Sequence, residues 1–163
     1  MRQFAHWRWR AEPIEGGPAV VFDLDGVLSD ATERQHLLDD RRPGRWQRFF
    51  AEAGNDALIE ELARLTELID PALTLVLLTA RPTTIRDITV TWLQHHGLRW
   101  DLLVMRPEGD YMPSPDAKRV AVQELRGQGF DLRLAIDDDR RNVDMFHAEG
   151  IPCIYIHSGY YEA

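Results

Sequence analysis

Ala19-Val20-Val21-Phe22-Asp23-Leu24-Asp25-Gly26 is the stretch that decides how this chain is read. Four consecutive apolar residues have the character of a strand buried on both faces, as in a parallel sheet. The run ends in two carboxylates two positions apart, with a glycine directly after them. In open α/β sheets, ligands bind at the carboxyl ends of the strands. Two acids placed there repel each other and lose solvation, so a cation is implied. Hard oxygen donors of this kind suit magnesium.

Four more apolar segments read as strands, at 73–79, 101–105, 132–137 and 152–156. Helical patterns separate them. Leu58, Ile59, Leu62, Leu65 and Leu68 share a face over 56–69, with Asn55 or Asp56 as the cap. Ile85, Ile88 and Trp92 mark a helix over 83–96, with Thr84 and Asp87 spaced as a capping box and Gly97 as the stop. Ser114-Pro115 opens a helix to about Leu125, and the helix over 140–149 closes at Gly150 with Pro152 beyond. Strands alternating with helices predict an α/β fold, a doubly wound five-stranded parallel sheet. The expected layout is a single domain over 1–163 with an N-terminal arm at 1–18. A small helical insertion is expected over 26–55, because about 50 residues separate the first two strands and a βα unit needs fewer.

Size and composition fit that layout. A chain of 163 residues that is 44% hydrophobic suits one domain with a proper core. Lys and Arg total 19 against 27 for Asp and Glu, giving a net charge of −8. This weighs against a dedicated duplex-DNA binder, though not against a short nucleic-acid end held by a local basic patch. Cys153 is the sole cysteine, which excludes an internal disulfide and points to a reducing, cytoplasmic setting. No apolar run approaches the ~20 residues of a membrane span. The basic start, MRQFAHWRWR, lacks the apolar core of a secretory signal.

The polar residues complete the picture. Asp23, Thr79 and Asp137 fall at strand ends, Asp138 and Asp139 follow at once, and Lys118 lies in the first turn of the helix leading to strand four. Any one of them serves equally well as a turn residue or helix cap. Together they bring complementary groups to one edge. Phosphoryl transfer asks for a nucleophile, charge neutralisation and alignment. Asp23 suits the nucleophile of an aspartyl-phosphate mechanism. Asp25, swung over the leaving group by the turn at Gly26, suits the acid and base. Lys118 and Thr79 suit the phosphate, and magnesium bridges Asp23 and the acidic loop. Gly26, Arg81 and Arg106, at the same edge, are candidate substrate-binding residues.

VFDLDGV (21–27), LLTARP (77–82), Lys118 and LAIDDD (134–139) resemble the four motifs of the haloacid-dehalogenase-like phosphatase superfamily, in order and on the same elements. The resemblance implies its Rossmann-like fold, with Asp23 as nucleophile, Asp25 as acid/base, and Thr79 and Lys118 as phosphate binders. It implies Asp23, the Asp25 carbonyl, Asp137 and Asp138 as magnesium ligands. Arg81 after Thr79, Trp92-Leu93, MRPEGD (105–110), and LAIDD followed by Val143, Asp144 and Met145 look like the phosphatase half of polynucleotide kinase–3′-phosphatases. That implies removal of a 3′-phosphate from a nucleic-acid end or nucleotide. No G-x-x-x-x-G-K-[ST] occurs, so the kinase half is absent from these residues. Two positions depart from the pattern. Asp139 stands where the family often has Arg, and Ser158-Gly159-Tyr160-Tyr161 matches a C-terminal Gly-Asp-Phe only in part.

Rival readings are a generic acid phosphatase for small organic phosphates and a phosphoacceptor signalling module. In the latter the phosphorylated Asp ends the third strand, where this chain has Val104-Met105-Arg106. The insertion gathers Arg34, Arg41, Arg42, Arg45 and Arg48 around Trp46, Phe49 and Phe50. Such a set either holds a phosphate backbone and stacks a base, or forms a helical lid whose aromatics seal the core. His6-Trp7-Arg8-Trp9-Arg10 alternates like a strand or docking arm. His147 and His157 have no partner at zinc-ligand spacing, and Cys153 reads as a small core residue.

Overall fold

The structure, a computed structural model, describes residues 4–161. In chain order it contains β1 (Trp7–Trp9), β2 (Gly17–Phe22), β3 (Ser29–Asp30), α1 (Arg45–Ala51), β4 (Ala57–Leu58), α2 (Glu60–Leu68), β5 (Thr74–Pro82), α3 (Arg86–His95), β6 (Leu102–Arg106), α4 (Ser114–Gly127), β7 (Phe130–Asp137), α5 (Arg140–Ala148) and β8 (Cys153–Tyr155). Short 3₁₀ turns lie at Thr32–Leu38, Ala53–Asn55 and Thr83–Ile85.

The main sheet has the order β1-β6-β5-β2-β7-β8. Its last five strands run parallel, as the alternating pattern predicts. A sixth strand comes from the expected arm: β1 lies antiparallel on the edge of β6, pairing Trp7 with Val104 and Trp9 with Leu102. β2 sits in the middle, and its residues alternate between two cores. Val20 and Phe22 join Leu75, Leu77, Trp92 and Leu103 on one face. Ala19 and Val21 join Val76, Leu78, Val122 and Phe146 on the other.

Residues 26–55 carry α1 and two of the 3₁₀ turns, and a two-stranded ribbon of β3 and β4 holds their ends together. Three expected caps are not used. α2 begins at Glu60 after Ile59, so neither Asn55 nor Asp56 caps it. α3 begins after Ile85 with no side-chain cap, so Thr84 and Asp87 form no capping box. Ser114 is the first helical residue of α4 rather than its cap, which places Lys118 beyond the first turn. Asp139 does cap α5, accepting from the Arg141 N–H. No helix of the described residues is long and apolar enough to cross a membrane.

Candidate active site

β2 is the point where the winding reverses, with β5 and β6 on one side and β7 and β8 on the other. The crevice at the carboxyl ends of strands is deepest at such a point. The chain delivers Asp23 there directly after β2, Asp137 as the last residue of β7, and Asp138 next to it. All three are buried, and one oxygen from each lies within 4.8 Å of the others. From α4, Lys118 reaches in between, with Nζ 3.1 Å from Asp23 Oδ1 and 2.7 Å from Asp137 Oδ2. Asp137 also accepts the Asp139 N–H at 2.9 Å and the Asn142 side-chain amide at 3.2 Å. Both Asp138 oxygens are buried and accept no hydrogen bond of normal geometry from a described residue, although Ser158 lies close by.

This charge set is unbalanced. Three carboxylates face one ammonium. Burial, then repulsion from Asp137, push the Asp23 carboxyl well above its ordinary range, with Lys118 opposing. Burial also raises Asp138. For Lys118, burial works downward, but Asp137 and Asp23 override it and hold the ammonium above its usual value. A buried cluster of this sign with an unsatisfied carboxylate fits a hard divalent cation. Gly26 explains how the loops close around it. Its φ is +82°, and a Cβ there would lie 2.1 Å from Asp138 Oδ2.

Asp25 stands apart from this cluster. Arg81 holds it through Nη2 at 2.6 Å and Nε at 3.1 Å, and Arg34 Nη2 holds the same oxygen at 2.6 Å. Burial works to raise the Asp25 carboxyl, but Arg81 first and Arg34 second outweigh it and keep it below the usual range. Both guanidiniums rest on a further buried acid, Asp56, which takes Arg34 Nε and Nη2 at 2.8 Å each and Arg81 Nη2 at 3.3 Å. Ser29 donates to Asp56 at 2.5 Å.

Each expected site residue therefore has a place. Asp23, Asp137, Asp138 and Lys118 converge. Thr79 is buried on β5 and accepts the Arg81 N–H at 3.1 Å. Arg106 lines a small cavity of about 50 Å³ together with Thr79 and Lys118, and donates to the Met112 carbonyl at 2.7 Å. Arg81 differs from expectation. It is fully buried, with Asp25, Ser29, Asp56 and Thr89 on its guanidinium, so it is spent on orienting Asp25 instead of facing a substrate. Four of the insertion's five arginines, Arg34 among them, are similarly engaged. Arg42 and Arg48 pair with Asp40, and Arg45 donates to the Leu38 carbonyl.

Sequence reasoning missed Arg34, Asp56 and Asn142. Asp56 had a sequence signal, a carboxylate before a helical run, but that signal also describes a cap. Arg34 was one arginine among five, and only burial distinguishes it, with its guanidinium 4.3 Å from the Phe49 ring centre.

The family model of the polynucleotide kinase PNKP phosphatase domain matches residues 17–161. This chain belongs to that family. It is a phosphatase domain of the haloacid-dehalogenase type, a phosphoric monoester hydrolase. Among solved structures it is similar to a chain of the Pnkp1/Rnl/Hen1 RNA repair complex, at 26% identity and TM-score 0.70, over 97% of this chain and 48% of that one. A chain of a second structure of the Pnkp1/Rnl/Hen1 complex gives 27% and 0.70, over 93% and 50%. This PNKP-type domain thus spans about half the length of those chains. The class C acid phosphatase from Bacillus anthracis with tungstate bound shares the fold at 17% identity and TM-score 0.60, over 91% of this chain and 69% of that one. No curated protein matches the sequence.

Proposed function

We infer that this PNKP-type domain hydrolyses phosphate monoesters through a phosphoryl group carried transiently on Asp23, with magnesium as its cation. Its substrate is the 3′-phosphate of a nucleic-acid end or nucleotide. The observation that carries the reading is the buried set of Asp23, Asp137 and Asp138 with Lys118 set between Asp23 and Asp137. Asp23, Asp137, Asp138 and the Asp25 carbonyl are the ligands that would hold magnesium. Once bound, it neutralises the phosphate and the acids together.

The chain's own residues supply the steps. An Asp23 oxygen bonds to phosphorus as the ester P–O bond breaks, and the leaving oxygen takes a proton from Asp25. Water then attacks the same phosphorus and gives its proton to Asp25. The bond to Asp23 breaks and inorganic phosphate leaves. Lys118 meets the charge that builds on the phosphoryl oxygens. Arg81 and Arg34 hold Asp25 ionised in the free site, the state that accepts a proton from water. An incoming phosphate dianion raises its affinity for a proton, and Asp25 takes one from solvent as the substrate binds, the proton it then passes to the leaving oxygen. Support for the 3′-phosphate comes from the family and from the similar chains in an RNA repair complex.

The test is a hydrolysis panel of 3′-phosphorylated oligonucleotides, 3′-mononucleotides, 5′-mononucleotides and sugar phosphates, with magnesium and with EDTA, on wild type and Asp23→Asn. The expected pattern is turnover of the 3′-phosphates in magnesium, none in EDTA, and none by a folded Asp23→Asn variant. Equal turnover of sugar phosphates would replace the substrate reading with a generic small-molecule phosphatase. Activity in folded Asp23→Asn would move the nucleophile elsewhere.

A further inference from the structure

We propose that the cleft between α5, β8 and the C-terminal turn binds the nucleoside bearing the scissile phosphate, with its base laid on Tyr161 and the next phosphodiester held by Arg140 and Arg141. The assignment rests on the 3′-phosphatase reading and deepens it by saying where the rest of the substrate lies.

The cleft holds about 490 Å³ and has Asp138 in its wall, so it opens directly from the carboxylate cluster. That volume lies within the ~300–1,000 Å³ of small-molecule sites. Its lining pairs aromatic rings with guanidiniums. Arg140 lies 4.9 Å from the Tyr155 ring centre, and Arg141 lies 5.9 Å from that of Tyr161. Tyr161 is 56% exposed, and the Arg141 side chain is 61% exposed although it pairs with Asp139. Stacking faces along a cationic track are how proteins hold single-stranded nucleic acid without reading its sequence. The insertion also pairs an exposed ring with arginines, Trp46 with Arg41, Arg42 and Arg45, but that pocket has none of the carboxylate cluster in its lining, whereas the cleft at α5 has Asp138. In a domain of net charge −8, two arginines beside the acidic mouth also give a polyanion its approach.

The platform is fastened in place. The Tyr160 hydroxyl accepts the Ala31 N–H at 2.8 Å and donates to Asp30 at 3.2 Å, tying the C-terminal turn to the start of the insertion. Tyr161 follows directly, and its phenol stands in the field of Asp23, Asp138 and Asp139. A turn held before binding costs less to order when a base settles on the ring it carries.

The experiment compares kcat/KM for a 3′-mononucleotide with that for glycerol 2-phosphate, which has no base, in wild type, Tyr161→Ala and Tyr161→Phe. Tyr161→Ala is expected to shrink the preference for the nucleotide roughly 5- to 100-fold, chiefly through KM, as loss of one stacking face does. Tyr161→Phe keeps the ring and is expected to keep the preference. The ratio cancels any loss of folded protein. A preference unchanged in Tyr161→Ala, or lost equally in Tyr161→Phe, would overturn the subsite while leaving the 3′-phosphatase reading intact. Absence of any preference in wild type would overturn both.

Discussion

At the scale of single residues, the two acids of the opening motif have separate surroundings and should fail in separate ways. Asp23 lies in the carboxylate cluster, whereas Asp25 lies in the grip of Arg81 and Arg34. Asp25→Asn is therefore expected to slow alkyl phosphates, whose leaving group needs a proton, by about 10²–10⁴-fold, and aryl phosphates far less. Steady-state kinetics on one substrate of each kind check this; equal losses would remove the proton-transfer role. Gly26 gives a second prediction. A side chain there meets Asp138 at 2.1 Å and must adopt a left-handed backbone. Gly26→Ala is expected to cost about 1–2 kcal/mol from the backbone alone, read by urea unfolding. It should also weaken magnesium binding by moving Asp138, read as a higher magnesium concentration for half-maximal activity. The convergence of these residues was legible because each stands beside a strong strand signal. Arg81 was located but misjudged, since sequence shows that an arginine follows a strand and not that three buried groups and half-buried Asp25 surround it.

At the scale of elements, the parallel core was readable because long apolar runs alternate with helical periodicity. The insertion's place was readable too, from the long gap after the first strand, but its internal structure was not. Its strands are two residues long and two of its turns are 3₁₀, neither of which leaves a period to detect. β1 did alternate, as Trp7-Arg8-Trp9, but three residues without their partner strand do not distinguish an edge strand from an arm. What fastens the insertion to the domain is Arg34, which spans Asp25 after β2 and Asp56 before β4. Arg34→Ala leaves half-buried Asp25 and buried Asp56 with Arg81 as their one remaining cation. Breaking a buried pair this way costs about 3–5 kcal/mol, expected as a loss of stability in urea together with a loss of turnover. Arg34→Lys should restore only part of either, because an ammonium lacks the planar fork that reaches both acids. Full recovery with lysine would mean that charge alone is needed there.

At the scale of the whole molecule, the site opposes folding, and this ties stability to pH and metal together. Asp23, Asp137 and Asp138 share the single ammonium of Lys118, so the folded state buries uncompensated negative charge. It responds by keeping protons. Burial and Asp137 raise Asp23, and burial raises Asp138, whereas the unfolded chain releases the same protons near pH 4, at about the ordinary carboxylate value. Above that point the native state binds more protons than the unfolded state. The unfolding free energy then falls as pH climbs through the raised native values. Asp25 has the opposite sign: its value is lowered, so its contribution is present above about pH 4 and lost as pH falls through the native value. Between roughly pH 5 and 8 the carboxylates that still titrate are the raised ones; His96, lowered by burial and by His95, opposes them with the reverse sign, so the expected slope is that of the two buried acids less the contribution of one imidazole. A cation that binds the folded state alone takes the place of those protons. At a hundredfold excess over its Kd it contributes about 2.7 kcal/mol, or roughly 5–10 °C in Tm for a domain of this size. In EDTA, Tm is therefore expected to decline from about pH 5 to pH 8; in magnesium the decline should flatten and Tm at pH 8 should rise by that amount. Differential scanning fluorimetry across the range decides it. A Tm at pH 8 indifferent to magnesium, or one that climbs with pH in EDTA, would mean that the acids are balanced from within the protein and that the cluster is not a metal site.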